Sequence, residues 1–379
     1  MKKYAVLAGI VAVIVVAYLG LTTVAPVSAP VAVAAGPTYS AMIYVAGMGG
    51  HFAAADVTVD PSNAAEPVKI KNLDRVVIGD KQYATHDARI DTNDSNVMFW
   101  STYVLDANGK IHVGKTDLKT GKVIKDLAVD PDARAVGKGP KYCASGQSKE
   151  YFMPVFMGVE GYVDVFDKKD LAHKHRVFVS DIGYAKGSYK FVHGINSPDM
   201  KSFLLTMNVV KDGNATGEID FVLVDMASLE KGKFKVLAKN TLKGDPKNSI
   251  TFRMYFTPDG KYITQSVADR LWVLDAKKLT LVDEKMMPEG SQLHDAMPTP
   301  DSKYALLTIR SVTEGCDTDG KAIVKDGKPV DITDGTVMVY DAANKKVLDK
   351  QISVCLGCHK GMGLGDKNAV LCGIDANYK

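Results

Sequence analysis

The sequence predicts an all-β fold, a single seven-bladed β-propeller over residues 36–379 that follows an N-terminal signal or anchor segment. Six blades are the alternative. Turns of the Pro-Asp-Gly-Lys type recur, and each is followed by an apolar run. A second repeated unit, an apolar strand that ends in Asp, alternates with these turns. β-branched and aromatic residues dominate both units, and no long helical periodicity appears after residue 35.

The turn unit is clearest in the middle of the chain. Pro presets the turn's φ angle, and the Asp side chain can cap the turn. The copies are Ser197-Pro198-Asp199, Thr257-Pro258-Asp259 and Thr299-Pro300-Asp301, with a weaker one at 91–95. The strands of the second unit end at Asp167, Asp225, Asp275 and Asp341. Strand, turn and strand at a period of about 40–60 residues describe a four-stranded propeller blade.

The two ends of the propeller are predicted to share one blade. Residues 39–73 resemble its outer strands, and residues 359–375 resemble an inner strand pair. Such closure would remove an exposed sheet edge. Seven blades are preferred because residues 130–147 and 315–330 fit the repeat poorly and could hold irregular strands.

Residues 1–35 are predicted to be a signal peptide or a membrane anchor. Lys2 and Lys3 precede an apolar run, and Ala32-Val33-Ala34 resembles a signal-peptidase site. The apolar run, about 17 residues, is longer than is usual for a signal, so an uncleaved anchor is the alternative. We expect an exported protein that contacts a membrane only if this segment stays attached.

Composition excludes some partners. The chain is 46% hydrophobic and 24% charged, with a formal charge of +3. Near-neutral charge with scattered lysines gives no reason to expect nucleic acid as a partner. No Ser-His-Asp signature, P-loop or dinucleotide-binding motif follows a predicted strand.

The motif with the clearest chemistry is Cys355-Leu356-Gly357-Cys358-His359, the attachment signal for haem c. Cys355 and Cys358 would hold one covalent haem, and His359 would bind its iron. The alternative is a packed or disulfide-bonded pair beside a surface His. Because the motif falls inside a blade repeat, a haem would sit at the channel mouth or on an exposed face. The sixth iron position could take Met362, His294, a partner's His, or nothing.

Several histidines occupy equivalent places before the repeated turns, where an innermost strand should begin. They are His86, His193, His294 and His359, with Arg253 at a similar place in another blade. Equivalent positions in a propeller face one axis, so these side chains could converge near one mouth of the channel. Convergent imidazoles could bind haem iron, copper or an anionic substrate. Copper would make the Cys355 and Cys358 pair incidental. The alternative is a structural role, in which each His bonds the backbone of a neighbouring strand.

A second histidine pair, His173 and His175, has the spacing that places both side chains on one face of a strand. Such a pair could chelate a metal. Its position in an outer polar turn favours a solvated pair instead.

On the turns and Asp-ending strands, the chain resembles the YVTN-type propellers over residues 39–379. That superfamily includes the propellers of cytochrome cd1 nitrite reductase and nitrous oxide reductase. The layout, an exported single propeller with a late Cys-x-x-Cys-His and no catalytic domain, also resembles the beta subunits of anammox hydrazine synthases. This resemblance implies a complex that condenses nitric oxide and ammonium to hydrazine in the anammoxosome lumen. It also implies haem-bearing partner subunits that do most of the chemistry, with the propeller as scaffold and channel wall.

Three functions therefore stand open. The chain could be a subunit of a haem-containing nitrogen-redox complex, which predicts a hetero-oligomer with an apolar surface patch. It could be a self-contained haem c or copper redox propeller with a His-lined site, which predicts bound metal in the isolated chain. It could also be a ligand-binding propeller without a cofactor. For each of these functions we expect an exported protein, located in the periplasm or the anammoxosome lumen.

Overall fold

Strand pairing turns the predicted repeats into six four-stranded antiparallel sheets, each a blade of a β-propeller. The computed structural model describes residues 36–47, 50–79, 84–137, 139–314, 321–354 and 372–379. The strands are β1 (Tyr39–Gly47), β2 (His51–Val59), β3 (Val68–Val77), β4 (Arg89–Ile90), β5 (Val97–Ser101), β6 (Ile111–Asp117), β7 (Lys122–Val129), β8 (Tyr142–Gln147), β9 (Tyr151–Phe156), β10 (Tyr162–Asp167), β11 (His173–Phe178), β12 (Tyr189–Asn196), β13 (Ser202–Lys211), β14 (Asn214–Asp225), β15 (Val236–Lys243), β16 (Met254–Phe256), β17 (Tyr262–Ser266), β18 (Arg270–Asp275), β19 (Leu281–Met286), β20 (Gln292–Pro298), β21 (Tyr304–Glu314), β22 (Val324–Lys325), β23 (Lys328–Pro329), β24 (Asp331–Asp341), β25 (Lys346–Ser353) and β26 (Cys372–Tyr378).

Blade 1 has the order β26-β1-β2-β3, from the axis outward. Blades 2 to 5 each take four consecutive strands, beginning with β4, β8, β12 and β16, and blade 6 has the order β20-β21-β24-β25. The described helices are one 3₁₀ turn, Val179–Ile182, and one α-helical turn, α1 (Met226–Leu229). None of the described helices has the length and apolarity to cross a bilayer. The predicted signal or anchor, residues 1–35, lies outside the described residues.

The ends of the chain close the ring, as predicted. β26 pairs antiparallel with β1, with Ala41 opposite Tyr378 and Val45 opposite Ile374. Val45 and Ile374 are fully buried, so the last strand seals the core as well as the sheet edge. Of the predicted inner strand pair at 359–375, the described residues contain β26, which is the innermost strand of this blade. Residues 355–371 lie outside the described part of the chain.

The preference for seven blades is also wrong, and six is the number formed by the described strands. Residues 130–147, which fitted the repeat poorly, contain β8, the inner strand of blade 3. The described part of 315–330 contains the hairpin β22–β23, which is inserted between β21 and β24 and pairs only within itself. The described residues of these two segments supply no strand for a seventh blade.

The predicted turns have the hydrogen bonds that their sequences favour. In each, the hydroxyl before Pro donates to the Asp carboxylate two residues later, at 2.6 to 2.9 Å in the Ser197, Thr257 and Thr299 turns. The same carboxylates accept the backbone N–H groups of Lys201, Lys261 and Lys303. These local bonds fix the turn that joins each inner strand to the next, and so fix where the inner strand ends and the next strand begins.

Candidate functional site

One residue from each blade lies at the end of the axis where the inner strands begin. In order around the ring they are Gly373, His86, Cys143, His193, Arg253 and His294. Cys143, His294 and Gly373 each fall at a register shift, where β8, β20 and β26 carry one residue more than the strand they pair with. A bulge re-aims the side chain of its extra residue. The bulge therefore accounts for the direction of the Cys143 and His294 side chains.

Three of these side chains, from successive blades, are in direct contact. His86 Nδ1 lies 2.9 Å from Cys143 Sγ, which lies 3.3 Å from His193 Nε2. His193 Nδ1 is 2.9 Å from the carbonyl of Phe191, to which it must donate, so its Nε2 carries the lone pair that faces the thiol. All three side chains are buried. The contact is thus an ordered imidazole–thiol–imidazole row.

Arg253 crosses the axis and closes it at this level. Its guanidinium pairs with Asp87 and also donates to the backbone carbonyls of His86 and Cys143. Only about 1% of the Arg253 side chain is exposed, and none of Asp87. Because both charges are out of water, each depends on the other for compensation. Asp87 and Asp295 raise the pKa of Arg253 against the opposing effect of its burial.

Asp295, next to His294, collects hydrogen bonds from four parts of the propeller. Its Oδ2 atom accepts from His294 Nδ1 at 2.7 Å, from Thr308 Oγ1 at 2.8 Å and from the Gly373 amide at 3.2 Å. Its Oδ1 atom accepts from the Tyr255 hydroxyl at 2.6 Å. An ionised carboxylate accepts only, so His294 is held with its proton on Nδ1. His294 Nε2 then carries a lone pair that is fully buried and has no hydrogen-bond partner in the described part of the chain.

The three imidazoles of the ring are neutral at neutral pH. Burial and the nearby Arg253 lower the pKa of His193 to about 3, and burial and Arg310 lower that of His294 to about 4. Burial also holds the pKa of His86 well below its ordinary value. Burial alone would raise the pKa of Asp295, but His294 and Arg253 outweigh it and keep that pKa well below its usual range. The imidazoles are therefore available as lone-pair donors at neutral pH.

The structure brings together three of the four predicted histidines, His86, His193 and His294. The His86 and His294 rings make an edge-to-face contact, with 5.7 Å between their centroids. His359, Cys355 and Cys358 lie outside the described residues. Among the described residues of blade 1, Gly373 stands at the ring position. His173 of the second pair lies elsewhere, on β11, where its Nε2 is 2.9 Å from Asp164.

Sequence reasoning missed Cys143. Its signal was present, because Cys143 precedes the turn at Ser148 by five residues, just as His294 precedes the turn at Thr299. That turn lacks Pro, which hid the repeat. Within the described residues, no set of three or more His, Cys, Asp or Glu side chains already has the spacing of a metal-ligand shell.

Replacing Gly373 with Ala should disturb this ring. Gly373 has φ of +65°, and an added Cβ would lie 2.8 Å from Arg253 Nη2 and 2.9 Å from the His86 carbonyl oxygen. We expect a loss of about 2–4 kcal/mol in the free energy of unfolding, the sum of backbone strain and overpacking. Gly109→Ala is the matched control, since Gly109 has φ of +75° and open space around it. Equal losses in urea unfolding of the two variants would show that the Arg253 contact does not matter.

Comparison with known proteins gives similarity of fold alone. No protein-family model and no curated protein matches the sequence. Among solved structures, the periplasmic gluconolactonase of Pseudomonas aeruginosa is 12% identical with a TM-score of 0.49, and covers 90% of this chain and 99% of its own. Kuenenia stuttgartiensis hydrazine synthase is 13% identical with a TM-score of 0.43, and covers 69% and 73%. The β-propeller domain of Myceliophteria thermophila Cps50 is 12% identical with a TM-score of 0.39, and covers 71% and 86%. Similarities this low carry no argument about function.

Proposed function

We propose that the protein is an exported haem c redox propeller whose reactive site lies at the His-lined end of its axis. The observation that carries the proposal is the Nε2 atom of His294, a buried lone pair without a hydrogen-bond partner among the described residues. A buried polar atom left unsatisfied costs about 1–3 kcal/mol. A ligand bound at this atom would remove that cost.

The environment of His294 is that of a histidine prepared to bind a metal. Metal-binding imidazoles generally donate their second nitrogen to a carboxylate or carbonyl, which fixes the tautomer and the ring orientation. Asp295 does this for His294, and is itself held by Tyr255 and Thr308. The ring of His294 also stacks on Phe252, with 4.7 Å between centroids. These contacts leave the imidazole little freedom to turn away.

In sequence, the predicted haem-attachment motif lies between β25 and β26. Leu293, Ile309, Thr336 and Ser353 lie in one row across blade 6, so β25 ends at the level where His294 stands. The chain re-enters the described structure at β26, whose Gly373 amide bonds Asp295. Cys355 and Cys358 would hold the porphyrin, and His359 and His294 are the candidate iron ligands. A haem bound here would supply one-electron chemistry, while Asp295 and Phe252 orient the His294 ring.

Haem attachment is tested by the mass and visible spectrum of the chain, purified without denaturant from a host that matures c-type cytochromes. We expect one haem of added mass and a Soret band that stays with the chain after denaturation. The double variant Cys355→Ser, Cys358→Ser should lose both, while Cys316→Ser should keep both. An unmodified wild-type mass would overturn the haem proposal.

A second candidate is a subunit of a haem-containing nitrogen-redox complex in the periplasm or anammoxosome lumen, as the resemblance to hydrazine synthase beta subunits implies. Exposed apolar side chains on the outer strands of the neighbouring blades 4 and 5 favour it. They are Val236, Leu237, Leu281, Val282 and Met286. A surface of this kind suits a protein partner. Size measurement of the native protein tests it: a complex containing haem-bearing subunits supports this role, and a monomer contradicts it.

A further inference from the structure

We propose that a cavity between blades 5 and 6 binds one neutral sugar ring, supplied either as a free monosaccharide or as the end of a carbohydrate chain. The cavity has a volume of about 180 Å³. Sites for drug-sized ligands measure about 300–1,000 Å³, so this one suits a single small ring. None of the described residues that line it belongs to the ring on the axis, and the proposal does not rest on haem attachment.

A small side chain in blade 6 makes room for the cavity. The turn repeat aligns Ala305 with Ile263 of blade 5 and Phe203 of blade 4, because each stands six residues after the Ser or Thr that opens its turn. Ile263 and Phe203 are fully buried in their blades, whereas Ala305 lines the cavity. Protein interiors are close-packed, so a space of this size at a repeated position is a departure of blade 6 from its own pattern.

The walls of the cavity come from two rows of cross-strand neighbours, one in each blade. The row in blade 5 is Thr264, Val273 and Asp283, and in blade 6 Ala305 pairs with Tyr340. The Tyr340 hydroxyl donates to Asp283 Oδ2 at 2.6 Å. This bond joins the two rows and holds the carboxylate in the wall of the cavity.

The polar groups of the cavity offer both donors and acceptors without a net charge. Its charged residues are Asp283 and Lys345, and Asp283 Oδ1 lies 3.7 Å from Lys345 Nζ. A carboxylate and an ammonium group each have capacity for several hydrogen bonds, so both can bond to further hydroxyl groups. Ser302 Oγ, also in the lining, is buried and has no hydrogen-bond partner among the described residues. A neutral ligand rich in hydroxyl groups matches this set, because each hydroxyl both donates and accepts.

The other lining side chains suit the C–H faces of a sugar ring. Tyr262 and Val282 are 40% and 43% exposed and stand at the rim, while Tyr340 is buried in the wall. Aromatic rings offer a large apolar face together with a polar tip. A charged ligand would disturb the pair of Asp283 and Lys345, and a purely apolar one would leave the Ser302 hydroxyl unsatisfied. The lining therefore favours a sugar over either alternative.

The test is a titration of the full-length chain with glucose, galactose, mannose and xylose, monitored by saturation-transfer NMR. We expect at least one of them to bind with a dissociation constant of about 1 mM or below. Ala305→Ile, which restores the side chain found in blade 5, should abolish binding without lowering the midpoint of urea unfolding. Lys345→Met should weaken binding about tenfold, because it removes a charged donor. Lys174→Met is the matched control, since Lys174 Nζ lies 3.6 Å from Asp167 in blade 3, and it should leave binding unchanged.

The methyl glycoside and a disaccharide of the bound sugar distinguish the two sources. Equal binding of all three supports a site for a chain end, and binding of the free sugar alone supports a monosaccharide site. The proposal is overturned if no sugar of the panel binds the wild type up to about 50 mM, or if folded Ala305→Ile binds as the wild type does. N-acetyltyrosinamide bound in place of sugars would also contradict it, and would show a site for a partner's side chain.

If Ala305→Ile fails to fold, the two lysine variants decide. Equal sugar affinities of Lys345→Met and Lys174→Met would contradict the site, and a loss confined to Lys345→Met would support it. Loss of haem attachment in the Cys355→Ser, Cys358→Ser variant should leave sugar binding unchanged, so failure of the haem proposal and failure of this one are distinguishable.

Discussion

Replacing Arg253 with Met should lower the free energy of unfolding by about 3–5 kcal/mol. The substitution keeps most of the side chain's volume but removes the nearer of two positive charges, Arg253 and Arg89, that compensate the fully buried Asp87. It also leaves the carbonyls of His86 and Cys143 without their Arg253 donor. Removing one partner of a buried ion pair is costly because the other charge remains out of water. Urea unfolding followed by circular dichroism measures the loss.

The matched control is Arg134→Met, which removes an ion pair with Asp132 at the surface. The Arg134 side chain is 62% exposed. Surface pairs of this kind contribute about 0–1 kcal/mol. A loss below about 1 kcal/mol for the Arg253 variant as well would mean that the charge network on the axis does not stabilise the ring.

Acid should destabilise the protein well above the pH at which its carboxylates titrate. Histidines of the unfolded chain take up protons below about pH 6.5. His193 and His294 in the folded chain remain neutral until about pH 3 and about pH 4. Between these limits the unfolded state binds more protons, so the free energy of unfolding falls as the pH falls. Each histidine contributes roughly 1.4 kcal/mol per pH unit, or together about 4 kcal/mol by pH 5.

The measurement is the free energy of unfolding between pH 7.5 and pH 5. In the His193→Asn variant the free energy of unfolding should change less steeply with pH, because unfolding takes up one proton fewer. This difference is expected whatever the stability of the variant at pH 7.5. A bound metal would not reverse the sign of this pH dependence, because metal binding also requires a neutral imidazole. Asp295 adds to the loss only below about pH 4, where its unfolded carboxyl binds a proton and the folded one resists. A flat profile down to pH 5 would contradict the neutral, buried state of the ring.

The propeller was predictable from sequence because its turns are local. A Ser or Thr before Pro-Asp forms its bonds within a few residues, so the 197, 257 and 299 turns could be recognised without knowledge of the fold. The blade count was not predictable in the same way. β8 precedes a turn without Pro, and β22 and β23 form a hairpin that belongs to no blade. Only long-range pairing tells a strand of a blade from an inserted hairpin.

The convergence of His86, His193 and His294 was predictable because equivalent positions in a repeat face one axis. The tautomers and contacts of their imidazoles were not predictable, since they depend on contacts between blades. The tautomer of His294 is set by Asp295, and the row through Cys143 depends on bulges that appear only in the strand pairing. The position of His359 stays a prediction, because the described strand of blade 1 that faces the axis begins at Cys372.

The most direct test of the account is the visible spectrum of His294→Asn compared with the wild type, with His173→Asn as the control on the outer strand β11. If His294 serves the reactive site at the axis, the wild-type chain will show a low-spin haem spectrum. His294→Asn will then shift toward high spin, added imidazole will restore the original spectrum, and His173→Asn will match the wild type. A haem spectrum unchanged by His294→Asn would contradict the central claim, that the buried lone pair on the propeller axis is kept for a ligand.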